Sequence, residues 1–210
     1  MRIIEKEIKI KEIIMKKIPI FFFIALLLFC QRSEAWFGHY NPQERSDYVL
    51  DLLNFGRPLA ASNILDEMFN YCEKKNDEKC FVHAYFTYGQ FLNSEYVSTY
   101  EWYKKCGYRD KTITFDNINQ KSMEYFEKAL AFAKKNEMDA NASAIYIKIG
   151  ILQFTRFKDQ ASACESFDQS LRYNQRFQKN NPKQRVVLPK GFKNFEEYVL
   201  LGKKEMGCSN

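Results

Sequence analysis

From Arg45 to Phe177 the apolar side chains recur three and four positions apart, the spacing that lines one face of an α-helix. That periodicity predicts helices over 43–55, 58–74, 79–105, 118–135, 139–156, 159–177 and 193–206. Gly56-Arg57-Pro58 separates the first two, with Pro58 suited to a first helical turn, where its missing N–H costs nothing. Gly107 can close the third by supplying a left-handed residue. Residues 178–192 hold two prolines among polar groups and read as a linker or ordered arm. Strand-type alternation is confined to a weak instance at Thr112–Phe115. The expectation is an all-α fold.

The pattern changes ahead of residue 36. Met15-Lys16-Lys17 leads into an apolar run from Ile18 to Phe29 that only Pro19 interrupts. This run falls short of the roughly 20 residues a helix needs to span a bilayer. A basic start, a short apolar stretch and small residues after it form the pattern of a secretory signal, here over 15–35. Residues 1–14 suit that scheme poorly, since they add three acids, so Met15 is the expected initiator. Two ends of the signal compete. Ser33-Glu34-Ala35 places small residues for cleavage before Trp36, whereas Leu27-Leu28-Phe29-Cys30 resembles the lipobox of bacterial lipoproteins, with Phe29 departing from its small residue. The first implies a free exported chain, the second a chain anchored through a lipidated Cys30.

Export alters how the charge is read. The chain has 32 basic and 26 acidic residues, net +6, but residues 1–35 contribute seven bases and four acids. Residues 36–210 carry about 25 bases and 22 acids, too balanced to argue for nucleic acid. A composition 46% hydrophobic and 16% aromatic, with 8 Gly and 5 Pro, excludes a disordered chain and disfavours a β-sandwich.

Five cysteines lie beyond Cys30: Cys72, Cys80, Cys106, Cys164 and Cys208. An odd number in an exported chain leaves at least one thiol without an internal partner. Cys72 and Cys80 flank the polar stretch 73–79 and lie where adjacent helix ends could meet; Cys164 reads as a small buried apolar residue. The pairing is otherwise open. With no CxxC and only His39 and His83, no zinc site is expected, nor any other metal or cofactor.

Paired helices raise the question of a repeat. In the last unit Tyr146, Ile149-Gly150 and Phe154 are followed by Ala163, Phe167, Ser170 and Leu171, with one residue extra after Gly150. The middle unit has Tyr85, Tyr88-Gly89 and Leu92, then Ser122, Phe126, Ala129 and Leu130; the first has Tyr48, Leu52 and Gly56, then Ala61, Leu65, Met68 and Phe69. On these residues the chain resembles the tetratricopeptide-repeat (TPR) family over about 43–177. The match departs from the 34-residue period, with 41 residues from Phe126 to Phe167, and it lacks the closing proline. The resemblance implies a short α-solenoid of helical hairpins, capped by the helix at 193–206, that binds a protein or peptide partner. It places His83, Phe86, Gln90 and Asn93, then Ile147, Ile151 and Phe154, along a concave groove. Family members that clamp a peptide carboxylate use Lys and Asn where this chain has Ser46, Phe86 and Ile147, so that activity is not implied. An apolar groove filled by another helix or by the C-terminal arm is expected instead.

The middle unit is interrupted. Gly89 to Ser122 spans 33 residues where the repeat needs about twelve. The excess, about 95–117, carries Tyr96, Tyr100, Trp102, Tyr103 and Tyr108 among Lys104, Lys105, Arg109 and Lys111. Aromatics and Arg dominate binding hot spots, so Tyr100, Trp102, Tyr103, Tyr108 and Arg109 are the candidate partner contacts. The plainer alternative is that a long helix over 79–105 packs these rings on a neighbour. No nucleophile elbow, HExxH or phosphate loop occurs, and Glu124 and Glu127 beside Lys128 suit a solvated face. The expected function is an exported, non-catalytic interaction or assembly module of the cell envelope. A secreted all-α structural or effector protein without a groove is the alternative.

Overall fold

A computed structural model describes residues 40–184 and 191–208. The signal segment, the competing cleavage sites, Cys30 and part of the arm (185–190) lie outside these residues. From Pro42 onward the chain forms one unit, built from α1 (Pro42–Asn54), α2 (Pro58–Lys75), α3 (Glu78–Leu92), α4 (Tyr100–Lys105), α5 (Ile118–Lys135), α6 (Asp139–Leu152), a π-helical turn (Gln153–Phe157), α7 (Gln160–Asn180) and α8 (Phe195–Glu205). Among the described residues there is no strand. The chain is all-α, and none of these helices is long and apolar enough to cross a membrane.

Most helix ends follow from local chemistry. Gly56, at φ +66°, closes α1 by donating to the Leu53 carbonyl while Arg57 donates to Leu52, and Pro58 then opens α2. The Asp77 carboxylate caps α3 by accepting from the backbone of Lys79 and Cys80. The helix expected over 79–105 is in fact two. It stops at Leu92, a turn comes next in which Ser98 Oγ donates to the Ser94 carbonyl (2.8 Å), and Thr99 Oγ1 caps α4 by accepting from the Trp102 N–H. Serine and threonine thus redirect a chain whose apolar spacing continues through them. At Thr112–Phe115 turns replace any strand: Asp110 Oδ1 accepts from the Thr112 amide and hydroxyl, and Asn117 Oδ1 from the Thr114 amide.

Packing runs in chain order. Among the described residues α1 packs on α2 and α3, α2 on α3, α3 on α5, α5 on α6, α6 on α7 and α7 on α8, with a lighter contact of α3 on α6. The two principal hairpins, α3–α5 and α6–α7, share one close contact. A Cβ built on Gly89 would lie 2.6 Å from the Phe126 ring, and one on Gly150 would lie 2.6 Å from the Phe167 ring. Any larger residue at either glycine would push the phenylalanine out of place. Phe126 is 1% exposed and Phe167 3% exposed, so both rings are buried where they meet these glycines. On α8, Gly202 presses the opposite edge of Phe167, also at 2.6 Å, so the last helix meets α7 much as α6 does.

Small polar residues accompany these close crossings. Ser122 Oγ donates to the Gly89 carbonyl (2.8 Å), and Ser143 and Ser170 exchange hydroxyl-to-carbonyl bonds of 2.9 Å between α6 and α7. Thr87 Oγ1 donates to Ser46 Oγ (2.7 Å) between α3 and α1. Each hydroxyl is buried with a partner, so it adds no desolvation penalty where the backbones approach. Ser143 is 1% exposed, folded into the contact of α6 with α7.

Two disulfides tie the ends. Cys72 bonds Cys80 across the α2–α3 turn, and Cys164 on α7 bonds Cys208 just beyond α8. The second corrects the expectation for Cys164, which is a crosslink and not a lone apolar residue. Among the described residues, Cys106 is the free thiol, and it is exposed.

Candidate functional site

The insert between α3 and α5 sorts its aromatic residues by burial. Trp102 is 8% exposed, sets its ring edge-on to Phe91 (5.8 Å) and donates Nε1–H to the Gly107 carbonyl (3.1 Å). Tyr108 is 5% exposed and donates its hydroxyl to the Val97 carbonyl (3.0 Å); burial pushes its pKa up to about 12. Arg109 reaches back to α2. Its guanidinium pairs with Asp66 (3.0 Å) and Glu73 (3.2 Å) and lies over the Phe69 ring at 4.8 Å. Trp102 and Arg109 hold the insert on the helices beneath it, and Tyr108 ties the insert to itself.

Tyr100 and Tyr103 face the other way. They are 59% and 37% exposed and touch each other at 6.4 Å between ring centres. Phe115, 40% exposed, sets its ring edge-on to Tyr100 (5.9 Å), and Tyr103 stacks on Tyr108 (6.1 Å). Solvent therefore meets a patch of three rings resting on a buried fourth, beside the exposed Lys104 and Lys105. Phe115 escaped the sequence reading because it falls after the helix-period pattern ends. Its place beside Tyr100 comes from the turns at Asp110 and Asn117.

The groove candidates on α3 are not part of that patch. Phe86 is half-buried and packs on Phe126 (5.9 Å). Gln90 is half-buried, and its Nε2 is buried without a hydrogen-bond partner. Asn93 sits at the C-terminal end of α3 and accepts from Arg156 Nε of the π turn (3.4 Å). His83 is half-buried, and burial holds its pKa below the usual 6.5 despite the opposing fields of Asp47 and Asp77. The folded state thus binds the His83 proton less readily than the unfolded chain does. Stability is accordingly expected to fall as pH drops through about 6.5, until the imidazole titrates in the native state as well. Urea melts at pH 7.5 and pH 5.5 check this: the loss should shrink in His83→Gln, and an equal loss in both proteins would refute it.

Ile151 and Phe154, the groove residues of the last hairpin, line a cavity of about 460 Å³. Phe167 of α7, Phe192 of the arm, and Tyr198 and Leu201 of α8 complete much of its wall. The arm and the last helix therefore both line this cavity. The π turn Gln153–Phe157 follows α6 directly and carries Phe154 and Thr155 on the cavity wall. Among the described residues, no three His, Cys, Asp or Glu side chains come together as a metal-ligand set. Comparison with protein-family models, with curated proteins and with solved structures finds no match for this chain.

Proposed function

We propose that this chain is an exported, non-catalytic module of TPR-like helical hairpins that binds a protein partner of the cell envelope through its insert. The observation that carries the binding reading is the ring patch of Tyr100, Tyr103 and Phe115, exposed on a turn held in place by Trp102, Tyr108 and Arg109. Large rigid rings on a pre-ordered surface lose little entropy on binding. The repeat reading draws support from the shared glycine-on-phenylalanine contact in two hairpins and from packing that runs mainly between near neighbours in the chain. Export is consistent with two disulfides, which persist in oxidising compartments. Lipid anchoring at Cys30 remains the alternative to release after Ala35, and intact mass spectrometry of the mature chain separates the two.

The test compares two variants. Tyr100→Ala/Tyr103→Ala/Phe115→Ala is expected to leave the urea midpoint nearly unchanged and to abolish capture of the partner by a photo-crosslinker placed at Lys104. Trp102→Ala is expected to cost about 3 kcal/mol of stability, as loss of a buried ring does. A triple variant that captures the same proteins as the parent would overturn the reading.

A further inference from the structure

The cavity beside α8 has a composition that points to a ligand class. Most of its wall is hydrocarbon: Ile151, Phe154, Phe167, Leu201 and Met206. A volume of about 460 Å³ lies in the range of small-molecule sites. A buried peptide backbone would need hydrogen-bond partners there. The described wall offers few, chiefly the Tyr198 hydroxyl, since the Thr155 hydroxyl is already donated to the Ile151 carbonyl (2.7 Å). A hydrocarbon chain needs none.

Among the described residues, the one charged side chain on the wall is Glu205, the last residue of α8, where the negative end of the helix dipole adds to its carboxylate. Lysines close by are engaged elsewhere. Lys203 pairs with Asp168 (2.7 Å), Lys158 donates to the Thr155 carbonyl (2.8 Å), and the exposed Lys204 is not on the wall. We propose that the cavity binds a single alkyl chain whose cationic head group pairs with Glu205. This site does not depend on the protein-binding reading of the insert. Its outer wall is α8, held in place by the Cys164–Cys208 bond and by Gln160 Nε2, which donates to the carbonyls of Met206 (2.8 Å) and Gly207 (2.9 Å).

The experiment is calorimetric titration of the oxidised full chain with octyl-, decyl- and dodecyltrimethylammonium, and with dodecanoate, all below their micelle concentrations. Binding at one ligand per chain is expected, tightening by about fourfold per added methylene from octyl to decyl. Dodecyltrimethylammonium should bind more tightly than dodecanoate, and Glu205→Gln should remove that preference. Leu201 is 43% exposed on the cavity wall, so Leu201→Trp should narrow the cavity without disturbing the core and weaken binding at least tenfold. Thr155→Trp, at another exposed wall position, serves the same purpose should Leu201→Trp fold poorly. Absence of binding, many ligands per chain, no dependence on chain length, dodecanoate binding as well as the cation, or undiminished binding to the Trp variants would each overturn the proposal.

Discussion

Replacing Phe167 with Ala is expected to lower the free energy of unfolding by about 3–5 kcal/mol, toward the upper end for loss of a buried ring. The ring lies between Gly150 of α6 and Gly202 of α8, each so close that an added Cβ would stand 2.6 Å from it. Neither glycine has a side chain that could move into the space left behind, so the cavity would persist. Val199, Phe195 and Ile147 in the same cluster are themselves buried and held by their helices. Equilibrium urea unfolding measures the loss. Hydrogen exchange should show α8 opening together with α6 and α7. A loss under about 1.5 kcal/mol would mean that α8 is only loosely seated and that the cavity beside it collapses readily. Phe126→Ala should cost a similar amount, because Gly89 bounds it in the same manner.

The second large effect concerns the disulfide that holds α8. Cys164 and Cys208 are 44 residues apart, whereas Cys72 and Cys80 are 8 apart. By loop-closure entropy the longer link restricts the unfolded chain by about 4 kcal/mol and the shorter one by about 2.5 kcal/mol. Cys164→Ser/Cys208→Ser should therefore lower stability more than Cys72→Ser/Cys80→Ser, when both are measured by urea unfolding without reductant. The first variant should also speed amide exchange in α8, since the Gln160 bonds and the Lys203–Asp168 pair would hold the helix without a covalent tie. An equal or reversed order would show that α8 unfolds locally ahead of the rest and that its crosslink contributes little to global stability.

Local signals explain what was legible. The α5 bounds match the periodicity of 118–135, and α1, α2 and α8 fall within two residues of expectation, because apolar spacing and Gly56-Arg57-Pro58 act within a turn or two. The single helix expected over 79–105 failed for the opposite reason. Its apolar spacing does not stop at Leu92, and the break depends on the hydroxyls of Ser98 and Thr99 bonding to nearby backbone. The extra residue after Gly150 was visible as an irregularity in the pattern. The π turn that follows α6 beside a cavity could not be seen there.

The candidate site was legible only in part. Aromatic and basic composition marked 95–117, but composition cannot assign a ring to one side of a turn. Trp102 and Tyr108 belong to the interior, Arg109 is engaged with Asp66 and Glu73, and Tyr100 and Tyr103 are left at the surface with Phe115. Short-range signals in the sequence were enough for the all-α class and most helix bounds, which rest on interactions a few residues apart. Which rings face solvent, that Cys164 meets Cys208, and that Gly89, Gly150 and Gly202 close on phenylalanine rings came from tertiary packing alone. These depend on how helices distant in the chain pack together, and the free energy of that packing is not written at any single position.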